Sequence, residues 1–287
     1  MSREDKHFGR ICRLAAMDTK SKQLQLQYQG YLQTPLLWDK QAVFGLHQLE
    51  VPKQKTLIFN RKTADNLRLG KLVEQFVSTE LGALKEIGIL AENLQVQHGK
   101  QTIGELDCIM TYDNTPIHLE VVYKFYLYDD SILDSEIDRW VGPNRNDTFI
   151  KKLTKLKKKQ LPLLYNPHTK SILEGLNLKA EQLTQRVLFK AQLYVPYKSS
   201  TIKFEPLNEA CVYGFYINVS EINQLSDCKF YIPSKKDWLI EPHPQVHWNI
   251  YNPFCEEVKA LTSQRRSPLC WIKHPNGTLE KFFVTWW

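Results

Sequence analysis

Two short segments hold the side chains with the most chemical promise: GELDCIM at 104–110 and IHLEVVYK at 117–124. In the first, Glu105 and Asp107 alternate with Leu106, Cys108 and Met110; in the second, His118, Glu120, Val122 and Lys124 alternate with Ile117, Leu119, Val121 and Tyr123. A period of two is the signature of half-buried strands, and the intervening DNTP at 113–116 is turn chemistry. Two neighbouring strands are thus expected to aim Glu105, Asp107, Glu120 and Lys124 at the same side.

If Asp113 and Asn114 form a two-residue turn, Tyr112 faces Thr115 and Asp107 falls opposite Glu120. A longer loop slides the register and sets Glu105 opposite Lys124. Opposed carboxylates repel and cost a sheet up to roughly 1 kcal/mol. A cation between them reverses that sign, and hard divalent ions bind through one or two carboxylates while keeping water and substrate phosphate as further ligands. The plainer reading is a wet face, since half-exposed hairpins carry Glu, Lys and His toward solvent as a matter of course.

The elements that must position this hairpin are legible around it. From about Ala64 to Leu84 the pattern turns helical, with Leu69, Leu72, Val73, Phe76 and Val77 on one stripe and Glu74 beside it. A short strand is expected near LQVQH (94–98). After the hairpin come an acidic stretch (129–138), a turn-rich RWVGPNRND (139–147), and a helix over roughly Asp147 to Leu161 with Phe149, Leu153, Leu156 and Gln160 on one side. RVLFKAQLYV (186–195) reads as a strand. Residues 1–50 read as a helical layer, VPKQK (51–55) as a linker, and the aromatic runs beyond about 205 as short strands.

Composition narrows the classes. A chain of 287 residues that is 43% hydrophobic and 24% charged supports a packed core. The net charge of +7 suits a polyanionic partner. The six cysteines, at 12, 108, 211, 228, 255 and 270, form no CxxC pair, which fits reduced thiols in a cytoplasmic protein. The start has no apolar signal region and no run approaches a membrane span. A P-loop, a GxSxG elbow and a dinucleotide fingerprint are all missing.

Glu74 on a helix, Asp107 in GELD, and Glu120 with a lysine on the next strand resemble the PD-(D/E)XK nuclease-like superfamily. More narrowly, GELDCI, HLEVVYKFYL and WVGPNRND followed by KKLTKL and QL resemble an uncharacterised bacterial family of domains of unknown function, number 1853, placed in that superfamily. The likeness covers about 60–200. It implies an α/β fold with a restriction-endonuclease-like core of αβββαβ order, a mixed sheet flanked by helices. An N-terminal helical layer (1–55) would precede that core (56–204), and a β-rich C-terminal portion (205–287) would pack on it.

The resemblance also implies that Asp107 and Glu120 hold Mg²⁺ or Mn²⁺ with Glu74 joining from the helix, and that Lys124 serves the attacking water or the phosphate. The superfamily lysine usually lies two residues after the second acid. Val122 is there in this chain, and Lys124 is four residues on, about 13 Å from Glu120 along an extended strand.

Other side chains offer further candidates. Glu105 is read as a surface acid in preference to a ligand or a partner for Lys124. Lys151, Lys152, Lys155 and Lys158, with Lys157 and Lys159, are read either as a phosphate-backbone surface or, preferentially, as a solvated helix face. His243 and His247 sit in a proline-interrupted loop, and Trp238, Trp248, Trp271, Trp286 and Trp287 suit packing more than base stacking. The leading expectation is metal-dependent phosphodiester hydrolysis of nucleic acid, DNA rather than RNA, with no membrane partner and an open oligomeric state. The alternative is a degenerate nuclease-like fold acting as a nucleic-acid-binding or protein-interaction module.

Overall fold

The computed structural model describes residues 18–52, 57–64, 66–198 and 202–287. Cys12 and residues 53–55 of the expected linker lie outside these. Among the described residues the chain is a mixed α/β protein built on one nine-stranded sheet, and no helix is long and apolar enough to cross a membrane.

Helix α1 (Thr19–Gln33) starts on Asp18, whose side chain accepts from the Ser21 N–H at 3.0 Å. Helix α2 (Leu69–Leu81) buries Leu72, Val73, Phe76, Val77 and Leu81, the stripe expected from their spacing. The helices meet through Tyr28, Tyr31, Phe59 and Phe76, whose rings lie 4.8–6.1 Å apart. Gly30 is required here: a Cβ would stand 1.8 Å from the Leu239 carbonyl oxygen.

Three antiparallel strands follow, β1 (Ile87–His98), β2 (Gln101–Tyr112) and β3 (Thr115–Tyr128). Strand β1 is longer than the 94–98 expected, because its N-terminal half lies at the sheet edge with Leu90 exposed at a register shift and shows no clean alternation. The β2–β3 turn is the two-residue form. Asp113 and Asn114 have φ of 47° and 63°, and Tyr112 pairs with Thr115.

A two-residue strand β4 (Trp140–Val141) pairs with the end of β3. Helix α3 (Phe149–Lys155) then runs into a π-type turn (Leu156–Gln160) and a 3₁₀ turn (Leu161–Tyr165), so the single helix expected over 147–161 is interrupted. Pro162 explains part of this, having no N–H to carry the helical ladder on. After α4 (Pro167–Gly175), β5 (Thr184–Pro196) lies parallel to β3 from Ile117↔Thr184 to Leu127↔Tyr194.

Beyond 205 the sheet continues with β6 (Val212–Asn218), β7 (Lys229–Tyr231), β8 (Leu269–Lys273) and β9 (Leu279–Thr285), giving the order β1-β2-β3-β5-β6-β9-β8-β7. Where only strands were expected, helix α5 (Tyr251–Ser263) packs Phe254 and Val258 against Phe230 and Phe282. Helices α1 and α2 cover one face of the central strands, against Leu119, Phe125 and Leu188, and α3 covers the other, against Val122, Tyr126, Val187 and Phe189.

Candidate functional site

Strand β2 turns over at Asp107. Gly104 lies against Leu163, and Leu106 packs with Leu163 and Leu164 beyond α3, whereas Cys108 and Met110 join the core under α2. Strict alternation would keep residues 104, 106, 108 and 110 on one face. The ladder between β2 and β3 ends at the same place, its last pair being Cys108↔Leu119. Asp107 and Glu120 would form the next pair. Instead the Asp107 Oδ2 accepts the backbone N–H of Val121 at 2.9 Å and occupies the seam between the strands.

This turnover corrects the expectation that all the acids share one side. Glu105 emerges on the α2 face, where the Lys71 ammonium contacts it and also lies 2.8 Å from both Glu74 and the Asn93 amide oxygen. Ligand atoms of Glu74, Glu105 and Asp107 all fall within 4.8 Å of one another. A cavity of about 390 Å³ lined by Arg61, Lys71, Glu74, Glu92 and Glu105 opens onto the cluster. Glu105, expected at the surface, is therefore a member of it. Lys71, passed over in the sequence, was signalled by standing three residues before Glu74 on the same helix, the spacing of side chains that meet.

The electrostatics are those of crowded acids. Burial, followed by repulsion from Glu120, pushes the Asp107 carboxyl up to about 7, the Val121 N–H offsetting only part of this. Burial likewise raises Glu74, against the opposing pull of Lys71. The Lys71 ammonium stands where positive charge relieves Glu74 and Glu105 most.

Glu120 faces the other way. It is fully buried, its Oε1 lies 3.1 Å from His118 Nε2, and its Oε2 accepts from Gln160 Nε2 at 2.5 Å. The donors and acceptors in this chain assign themselves. The Gln185 amide nitrogen faces the Leu161 carbonyl at 2.7 Å and His118 Nδ1 at 3.1 Å. A carbonyl only accepts, so Gln185 donates to both, and His118 carries its proton on Nε2 and donates it to Glu120. Gln160 Oε1 in turn accepts from Lys152 Nζ at 2.8 Å. The chain Gln185–His118–Glu120–Gln160–Lys152 thus links β5, β3 and the interrupted helix behind the seam.

Lys152 is the half-buried lysine of its cluster; Lys151, Lys155 and Lys158 are exposed. Burial, then repulsion from Lys124 and Lys155, pulls its ammonium down to about 8, with Glu120 and Asp107 acting to hold the proton on. Lys124 is engaged elsewhere: its ammonium donates to Asp147 Oδ2 at 2.6 Å, in the loop before α3. Val122 is buried in the α3-side core. The signal for Lys152 lay in its position, three residues after Phe149 and four before Leu156, next to the apolar stripe.

The remaining candidates lie apart from this group. His243 meets the edge of Trp271 with ring centres 5.2 Å apart, and burial lowers its pKa. Trp271 is core, and Trp287 stacks under Arg145 at 4.3 Å while donating to the Pro143 carbonyl at 2.9 Å.

The family model described as Domain of unknown function (DUF1853) matches residues 15–281 of the chain. No curated protein and no solved structure matches it.

Proposed function

The chain belongs to the DUF1853 family, and we propose that it is a divalent-metal-dependent nuclease that hydrolyses phosphodiester bonds in nucleic acid. The observation that carries this is the meeting of Glu74, Glu105 and Asp107 within 4.8 Å of one another, with Glu74 and Glu105 lining an open cavity. Carboxylate oxygens are the donors that Mg²⁺ and Mn²⁺ prefer, and two or three of them leave room for water and phosphate. The residues present therefore fit the group, with Glu105 in place of Glu120 as the third ligand. When bound, such an ion polarises the phosphate and lowers the pKa of a water molecule beside it.

The chain's own groups supply the rest. Asp107, held by the Val121 N–H, is fixed where β2 and β3 part. Lys71 neutralises Glu74 and Glu105 in the absence of a cation and must withdraw when one enters. Lys152 offers an ammonium to the negative charge that builds on a phosphorane, and Glu120 holds it in place through Gln160. The exposed Lys151, Lys155 and Lys158 would neutralise substrate phosphates, DNA rather than RNA. With the two-residue β4 and the short α4 as insertions, the element order α2-β1-β2-β3-(β4)-α3-(α4)-β5 supports a restriction-endonuclease-like core. Among the described residues, five buried free cysteines suit a reducing cytoplasm.

A second reading has an observation of its own. Val122 is buried where a lysine would stand and Lys124 is tied to Asp147, which favours a nucleic-acid-binding module without catalysis. Incubating the protein with labelled single- and double-stranded DNA and RNA in Mg²⁺, in Mn²⁺ and in EDTA decides between them. Cleavage that needs metal and vanishes in Asp107→Ala supports the nuclease; binding without cleavage under any ion supports the module.

A further inference from the structure

A second cavity, of about 310 Å³, opens beside the first turn of α2 between β3 and the loop 142–147. Its walls include Tyr123, Lys124, Asp147, Asn146, Lys235 and Trp238. We propose that this cavity receives one unpaired nucleotide of a nucleic-acid substrate, its base stacked on Trp238 and its phosphate held by Lys124 and Lys235. The inference rests on the nucleic-acid reading of the acid cluster and adds that the strand entering here is single.

The loop wall is rigid. Gly142 N–H donates to the Asp147 carbonyl at 2.8 Å and Arg145 N–H to the Gly142 carbonyl at 2.8 Å. From behind, the Ser267 N–H donates to Asn144 Oδ1 at 2.8 Å and the Trp287 indole to the Pro143 carbonyl at 2.9 Å. Asp147 and Lys124 are each only about a third exposed, and their side chains pair at the cavity edge. The Lys124 ammonium has three N–H donors, so a phosphate oxygen can be bound by it while its bond to Asp147 is kept.

The opposite wall is aromatic. Trp238 is fixed edge-to-face against Phe125 and Phe283, with ring centres 5.2 Å apart in both cases, and the Lys235 ammonium stands 5.4 Å over its ring. A cation–π contact at an exposed lysine is weak, and a base stacked on an aromatic side chain is the stronger of the two interactions. Exchange of the ammonium for a base is therefore favourable, and the displaced ammonium gains a phosphate. Lys124 stands three residues beyond Val121, whose N–H holds Asp107, and so about 10 Å along β3 from the acid cluster. A base still paired in a duplex has its face and edge occupied and cannot enter a cavity of this size.

The test uses the full chain in EDTA, so that no cleavage intervenes, and follows tryptophan fluorescence during titration with the oligonucleotide dT8, with a blunt-ended DNA duplex of two fully complementary strands, and with inorganic phosphate. The expectation is that dT8 quenches, the duplex and phosphate do not, and Trp238→Phe removes most of the quench. Lys235→Glu, at an exposed position, should weaken dT8 binding about tenfold or more. Equal affinity for dT8 and duplex, or affinity for dT8 unchanged in Lys235→Glu, would overturn the proposal. If quenching behaves as expected while Mg²⁺ and Mn²⁺ elicit no cleavage, the nucleotide cavity is supported and hydrolysis alone fails.

Discussion

Asp107 and Val121 are joined across the central hairpin by a side-chain-to-backbone hydrogen bond of 2.9 Å, immediately beyond the last paired residues of β2 and β3. The carboxylate takes over a backbone donor that the parting strands release. One residue thereby satisfies a buried N–H and carries charge to the seam where Glu74 and Glu105 meet it.

Metal addition should stabilise the wild type. At a concentration one hundred times the dissociation constant, a ligand of the folded state adds about 2.7 kcal/mol, a rise of several degrees by differential scanning fluorimetry. Asp107→Asn keeps an acceptor for the Val121 N–H and removes a carboxyl that burial and Glu120 disfavour. It should melt no lower than wild type in EDTA and show no rise with Mg²⁺ or Mn²⁺. An equal rise in both proteins would place the ion elsewhere.

The two lysines should separate in kinetics. Lys152→Met retains the aliphatic stem but loses the charge near Asp107 and Glu120, and kcat should fall by roughly 10²–10³, the usual loss on removing one charge-stabilising donor. Lys124→Ala should act mainly on KM, because its ammonium pairs with Asp147 and faces the nucleotide cavity. A kcat loss in Lys124→Ala as deep as that in Lys152→Met would return the catalytic role to Lys124.

The hairpin turn sets the register that brings these groups together. Asn114, at φ 63°, tolerates the left-handed region; a β-branched side chain there does not. Asn114→Val should cost about 1–2 kcal/mol in urea denaturation, and Asn114→Gly should be neutral or better. Equal midpoints for the two variants would show that the turn adopts another form in solution.

Lys281 on β9 gives a pH dependence. It is buried, with Nζ 3.0 Å from the Trp238 carbonyl and 3.4 Å from the Glu241 carboxylate, near Gln192 and 5.1 Å above the Tyr213 ring. Burial pulls it down to about 8, against the opposing effect of Glu241, from an ordinary value of 10.5. Between those values the unfolded chain binds more protons than the folded one, so stability should rise with pH across about 8 to 10.5, by at most about 3 kcal/mol from this group. The penalty is complete below 8 and gone above 10.5. Urea midpoints at pH 7, 8, 9 and 10 should climb less steeply in Lys281→Met than in wild type; parallel curves would assign the slope to other groups.

What the sequence made legible follows from which signals are local. The Asp113–Asn114 turn and the stripe on α2 are written within a few residues each, and the structure has both. Strand β5 forms where RVLFKAQLYV places it, but it is buried on both faces from Val187 to Tyr194, because a central parallel strand is covered by helices on either side. The parity of β2 is not local. Counting by twos from Cys108 puts Glu105 and Asp107 with Glu120, and nothing in GELDC marks the turnover that moves Glu105 beneath Lys71. Glu120 carries no local mark of burial either, since its partner Gln160 comes from the π-type turn and its partner His118 is itself held by Gln185 of β5. Helix α5 was hidden by composition: Tyr251, Pro253 and Phe254 read as strand or turn, while Phe254, Val258 and Thr262 hold the helical spacing that packing required.

The π-type turn at Leu156–Gln160 acts as a length device. Lys152 and Gln160 are eight residues apart, and in an uninterrupted α-helix their side chains would point about 80° away from one another. The wider turn absorbs most of a residue's worth of rotation and brings both to the same side, where Gln160 bridges Lys152 to Glu120. The extra chain is taken up among Lys157, Lys158 and Lys159, all exposed. The extra residue therefore sets phase and makes no buried contact: in a plain α-helix one residue shorter, Lys152 and Gln160 would stand seven apart and within about 20° of each other, while the exposed Lys157 also donates to the Phe44 carbonyl at 3.1 Å.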